Sequence, residues 1–149
     1  MKRYLAIFGL ALLGAVGTAQ AQNCTISLEG NDRMQFDKKS VSVSASCPTI
    51  TVELKHTGSL PVAAMGHNVV ITETGDVAEV AQAGIKAGAP AYVPEGDARI
   101  IAATEMVGGG ESTSITFPGN KLTAGGDYTF FCSFPGHSGI MRGKVEVTN

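Results

Sequence analysis

Near the end of the chain, "YTFFCSFPGHSGIMRG" places Cys132, His137 and Met141 in one short segment. The protein has 3 histidines, His56, His67 and His137, and 3 cysteines, Cys24, Cys47 and Cys132, so this clustering is concentrated chemistry. His67 stands in "LPVAAMGHNVVI", just after a Pro/Gly-marked loop and before an apolar run. One soft thiolate, two imidazoles and one weak thioether suit copper cycling between two oxidation states. Thiolate and thioether favour the reduced ion, and imidazole accepts both.

The spacing supplies a way to gather these groups. Cys132 ends an alternating, strand-like run, which fixes the direction of its side chain. Pro135 and Gly136 then set a tight bend, bringing His137 and Met141 round the point from which Cys132 projects. Three groups from one loop cost little chain entropy to assemble. His67 must come from another strand and ties the site to the body of the fold. The backbone N–H of Phe134 lies near the sulfur and can donate to it, whereas Pro135 has none. Such bonds draw electron density from a thiolate and raise its reduction potential. Tyr128, Phe130, Phe131 and Phe134 supply apolar bulk that keeps water out.

The elements that hold the site are strands. "VSVSAS" from Val41, "TITVELKHT" from Thr49, "RIIAAT" from Arg99, "STSITF" from Ser112, "DYTFFCSF" from Asp127 and "RGKVEVTN" from Arg142 alternate with period two, as does "CTISLEG" from Cys24. Short runs of this kind, broken by Gly, Pro and Asn turns, predict an all-β, antiparallel sandwich or barrel. One segment departs from it. From Asp76 to Lys86, Val77, Val80, Ala81 and Ile85 recur at helical spacing, followed by "AGAPAYVPEGD". A short helix is expected there, in a connection that flaps over the sandwich around residues 76–91.

The N-terminus reads as a separate unit. Lys2 and Arg3 precede an apolar run from Tyr4 to Val16, and Ala19-Gln20-Ala21 ends it with small residues. This pattern predicts a secretory signal peptide over residues 1–21 and a single exported domain over residues 22–149. The apolar run is short for a membrane span, so no membrane insertion of the mature chain is expected. Without Lys2 and Arg3 the net charge falls from -2 to about −4 at neutral pH. Mild acidity with no basic cluster excludes nucleic acid and anionic membranes as partners. Export places the thiols in an oxidising compartment. A bridge between Cys24 and Cys47 would tie two early strands together and leave Cys132 over. An unpaired cysteine there is buried, dimerises, reacts or holds a metal.

At these residues the chain resembles the azurins, periplasmic type 1 (blue) copper proteins of the cupredoxin family. "CTISLEGNDRMQFD", "LKHTGSLPVAAMGHN" and "YTFFCSFPGHSGIMRG" are similar to azurin segments and stand in the same order. The resemblance implies a Greek-key β-sandwich of about eight strands with a helical flap. It implies His67, Cys132 and His137 as copper ligands, Met141 as a distant axial ligand, and the Gly66 carbonyl opposite it. Cys24 and Cys47 become a disulfide, and Asn68 and Ser133 brace the two ligand-bearing segments. Met34, Leu60, Ala64, Met65, Phe134, Pro135, Gly139 and Ile140 form an apolar patch around the edge of His137. His56 is expected to be a buried neutral histidine bonded to backbone, with a redox-linked proton role implied by the family. The implied function is a single-electron shuttle in the periplasm, not an enzyme. Its transient partners would be redox proteins such as c-type cytochromes or periplasmic reductases and dehydrogenases. One departure is Val69, where many azurins carry tryptophan.

Other functions use the same residues. Cys132 as a nucleophile with His137 or His67 as base would make a cysteine–histidine enzyme, but no oxyanion-hole signature accompanies the pair. Two histidines, the cysteine and the Gly66 carbonyl would also hold zinc, leaving Met141 without a role. A copper storage or delivery protein would favour several methionines and a looser site.

Overall fold

A computed structural model describes residues 22–149; the expected signal segment, residues 1–21, lies outside the described residues. The strands are β1 (Thr25–Asn31), β2 (Gln35–Phe36), β3 (Ser40–Ser44) and β4 (Thr49–His56). A one-turn helix α1 (Val62–Met65) precedes β5 (Val70–Glu73) and the longer α2 (Val77–Ala87). Then come β6 (Ala102–Ala103), β7 (Ser112–Pro118), β8 (Tyr128–Phe131) and β9 (Arg142–Thr148). They form two sheets, β2-β1-β4-β7 and β3-β9-β8-β5-β6, stacked as a sandwich.

The period-two pattern converts directly into burial. On β1, Ile26 and Leu28 face inward; on β4, Ile50, Val52, Leu54 and His56 do. These meet Val43, Ile71, Phe130, Val145 and Val147 from the opposing sheet in one core. Strands β5 and β8 do not alternate because both of their faces are covered. Phe130 turns into the core, while Phe131 and Val70 pack against Val77, Val80 and Ala81 of α2.

Three expectations need correction. The sandwich is not wholly antiparallel: β1 pairs with β4, and β3 with β9, in parallel. Alternation reports which face is buried, not strand direction, and the chain crosses between sheets from β2 to β3 and back to β4. The stretch "RIIAAT" contributes only the two-residue β6. On α2, Gly84 rather than Ile85 completes the buried stripe, and Ile85 is 52% exposed. A Cβ at Gly84 would stand 2.2 Å from the Tyr92 carbonyl oxygen, so the helix approaches the following loop through that glycine. The guanidinium of Arg99 fastens this loop, reaching Asp97 at 2.6 Å and Glu79 of α2 at 2.8 Å.

Candidate metal centre

Cys132 follows β8 directly and shares the inward face of Phe130. Its N–H donates to the Met141 carbonyl at 3.0 Å, so the loop leaves and rejoins the sheet at one ladder position. Inside the loop, the His137 N–H donates to the Phe134 carbonyl at 3.0 Å. Pro135 and Gly136, the latter at φ 85°, occupy the central positions of that turn. A positive φ at the third position defines a type II turn and favours glycine there. The His137 carbonyl then accepts the N–H of Ile140 at 3.1 Å and of Met141 at 2.8 Å, winding the chain back to β9.

His67 arrives from the other side. Its N–H and carbonyl exchange bonds of 3.0 and 2.9 Å with Val107, just before β5 begins. Its Nε2 lies 2.9 Å from the Asn31 carbonyl. A carbonyl only accepts, so Nε2 carries the proton and the Nδ1 lone pair is free to bind. Asn68 holds the two segments together: its Oδ1 accepts the Ser133 N–H at 2.9 Å, and its Nδ2 donates to Ser133 Oγ at 2.8 Å.

The outcome is a convergence of donors. Cys132 Sγ stands 3.9 Å from His67 Nδ1, 3.6 Å from His137 Nδ1 and 3.7 Å from the Gly66 carbonyl oxygen. The three side-chain donor atoms all lie within 4.8 Å of one another, and all three residues are buried. One thiol and two imidazole lone pairs aimed at one point match a soft-to-borderline ion such as copper. Met141 is fully buried beside them.

Electrostatics keeps the metal-free groups neutral. Burial pushes the Cys132 thiol from 9.0 up to about 11, an effect the backbone N–H groups of Asn68 and Phe134 partly offset. Burial, with His67 and His56 nearby, pulls His137 from 6.5 down to about 4. Burial likewise lowers His67, against the opposing bond to Asn31. A thiol so rarely ionised near neutral pH is a poor nucleophile. The Phe134 donor was legible in sequence; the Asn68 N–H was not, because only the fold brings it to the sulfur.

These shifts set a pH profile for the metal-free protein. His137 is protonated more readily in the unfolded chain, so stability falls as pH drops from 6.5 towards about 4. Cys132 ionises more readily in the unfolded chain, so stability falls again as pH rises from 9.0 towards about 11. Melting curves of metal-free protein are expected to peak between those limits. A melting temperature that keeps rising into acid would contradict this.

The remaining expected residues fall around the centre. His56 is buried and stacked on His67, with ring centroids 4.3 Å apart. Its Nε2 reaches the Met65 carbonyl at 2.9 Å and its Nδ1 accepts the Gly58 N–H at 3.0 Å. Cys24 and Cys47 are bonded to one another, and Cys132 is a free, buried thiol. Leu60 and Ile140 are exposed at 39% and 53%, as are Ala64, Pro135 and Gly139, while Met34 and Met65 are half-buried. Val62, at 42%, is exposed among them and was missed, since α1 is too short to show a stripe in sequence. Val69, where many azurins carry tryptophan, is buried in the core.

Comparison with known proteins agrees with this geometry. The family of copper-binding proteins described as plastocyanin/azurin matches residues 22–148. The azurin of Bordetella pertussis is 50% identical over 143 residues, covering 95% of each chain. The azurin of Alcaligenes faecalis is 54% identical over 125 residues, covering 83% of this chain and 98% of its own. Among solved structures, an azurin (Az-iso2) from the obligate methylotroph Methylomonas sp. strain J superposes with a TM-score of 0.81 at 42% identity. That match covers 85% of this chain and 98% of the other.

Proposed function

Because the chain belongs to the plastocyanin/azurin family of copper-binding proteins, whose members carry electrons rather than catalyse reactions, we propose that His67, Cys132 and His137 hold its copper ion. Met141 and the Gly66 carbonyl are the weaker, outer contacts. The observation that carries this reading is the buried convergence of one sulfur and two imidazole nitrogens within 4.8 Å. Bound there, copper supplies a one-electron Cu(II)/Cu(I) couple.

The protein's own groups do the rest. Cys132 gives up its proton on loading, because a thiolate is the ligand. The N–H groups of Asn68 and Phe134 then stabilise the negative sulfur. Asn31 fixes the tautomer of His67, and the Asn68–Ser133 pair keeps the two ligand segments at one separation. Such a framework resists rearrangement between oxidation states, which an electron carrier needs.

Exchange requires a docking face. His137 is only 2% exposed; in this reading the exposed Leu60, Val62, Pro135 and Ile140 and the half-buried Met65 surround its edge as an apolar face suited to brief contact. Its partners in this reading are redox proteins such as c-type cytochromes or periplasmic reductases and dehydrogenases. Residues 1–21 act as an export signal and leave residues 22–149 as the working domain in the periplasm. No helix among the described residues is long and apolar enough to cross a membrane.

A Leu60→Lys variant tests the face. It is expected to keep the visible spectrum of the copper protein while slowing electron exchange with a c-type cytochrome about tenfold, equivalent to ~1.4 kcal/mol of docking energy. An unchanged exchange rate would remove the patch from the account.

A further inference from the structure

We propose that Gly30 is a positioning residue of the metal centre, its missing side chain being the space that the His67 imidazole and the end of Met141 occupy. The inference rests on the reading of His67 and Met141 as ligands. Gly30 lies inside β1, paired with His56 on one side and Phe36 on the other. Glycine weakens a strand interior, so it stands there for a reason, commonly a close approach. Backbone conformation is not that reason, because among the described residues the positive-φ glycines are Gly88, Gly96, Gly110, Gly125 and Gly136, and Gly30 is not one of them.

Packing is the reason. A Cβ on Gly30 would stand 2.8 Å from His67 Cδ2, 3.3 Å from its Cγ and 3.0 Å from Met141 Cε. The backbone cannot retreat easily: the Gly30 carbonyl accepts the Thr57 N–H at 2.8 Å and the Thr57 hydroxyl at 3.0 Å. Nor can the imidazole, whose Nε2 is bonded to the Asn31 carbonyl at 2.9 Å and whose ring stacks on His56. A single methyl at position 30 therefore has to move His67 Nδ1, the Met141 thioether, or both, relative to Cys132 Sγ. Gly30 would thus position two of the residues that would hold the ion, His67 and Met141, at once.

Two arms test this. In metal-free protein, Gly30→Ala is expected to lower the melting temperature by roughly 5 °C or more, as overpacking does. In a His67→Ala background, where the imidazole is gone and only the flexible end of Met141 is still met at 3.0 Å, the same change is expected to cost markedly less. Equal losses in both backgrounds would overturn the proposal. If Gly30→Ala alone does not fold, a folded Gly30→Ala/His67→Ala protein supports it and an unfolded one overturns it. In the second arm, copper-loaded Gly30→Ala is expected to show a shifted visible band and an altered Cu(II) EPR spectrum. Gly75→Ala, whose Cβ would meet nothing within 4 Å, serves as the unshifted control. A loaded Gly30→Ala spectrum that superposes on the wild type would overturn the positioning role. Failure of the ligand reading looks different: the wild type itself would then lack a sulfur-to-copper band, whatever the metal-free arm reports.

Discussion

Cys132→Ser is expected to abolish the intense visible absorption of the copper-loaded protein and to weaken copper binding by more than about 100-fold. Loss of a partner that merely orients a ligand costs 10–100-fold, and Cys132 is the donor itself. The variant should still fold, because a serine hydroxyl fits the same buried volume and finds the N–H groups of Asn68 and Phe134 waiting. Absorption titrated with Cu(II), alongside circular dichroism of the metal-free form, separates lost ligation from lost structure. A Cys132→Ser protein that kept its colour would place the sulfur outside the site.

The second large effect is on stability. The bond between Cys24 and Cys47 closes a separation of 23 residues, and the chain entropy it removes from the unfolded state is worth about 3 kcal/mol. It sits where β1 begins and just ahead of β4, beside the bond from the Thr51 N–H to the Cys24 carbonyl at 2.9 Å. The parallel β1–β4 register is thereby fixed at one end. A Cys24→Ser/Cys47→Ser protein should melt roughly 10 °C lower with an unchanged copper spectrum, because the bridge ties the start of β1, whereas Gly30 and Asn31, the β1 residues that meet His67, stand at its other end. A fall in melting temperature of only a degree or two would mean that the core alone sets the register.

Much of the centre was legible because it is local. Cys132, the Pro135–Gly136 bend, His137 and Met141 share one loop whose turn chemistry dictates its shape. The Phe130/Cys132 alternation gives the sulfur its inward direction. His67 was legible as chemistry but not as geometry: its approach depends on Val107 and Asn31, which are distant in sequence. The same holds for the Asn68 N–H at the sulfur and for Gly30 against two ligands. Strand direction escaped for a different reason, since β1 and β3 show identical alternation whether their partners run parallel or antiparallel. On α2, Ile85 looked like core by hydrophobicity, yet a helix turn of 3.6 residues places Gly84 inward.

Every copper readout above follows from one claim, that Cys132, His67 and His137 bind the same ion. Anomalous diffraction at the copper edge, from crystals of the loaded protein, tests it directly. The expected result is a single strong peak enclosed by Cys132 Sγ, His67 Nδ1 and His137 Nδ1. A peak elsewhere on the chain, with those three atoms still packed against one another, would contradict it.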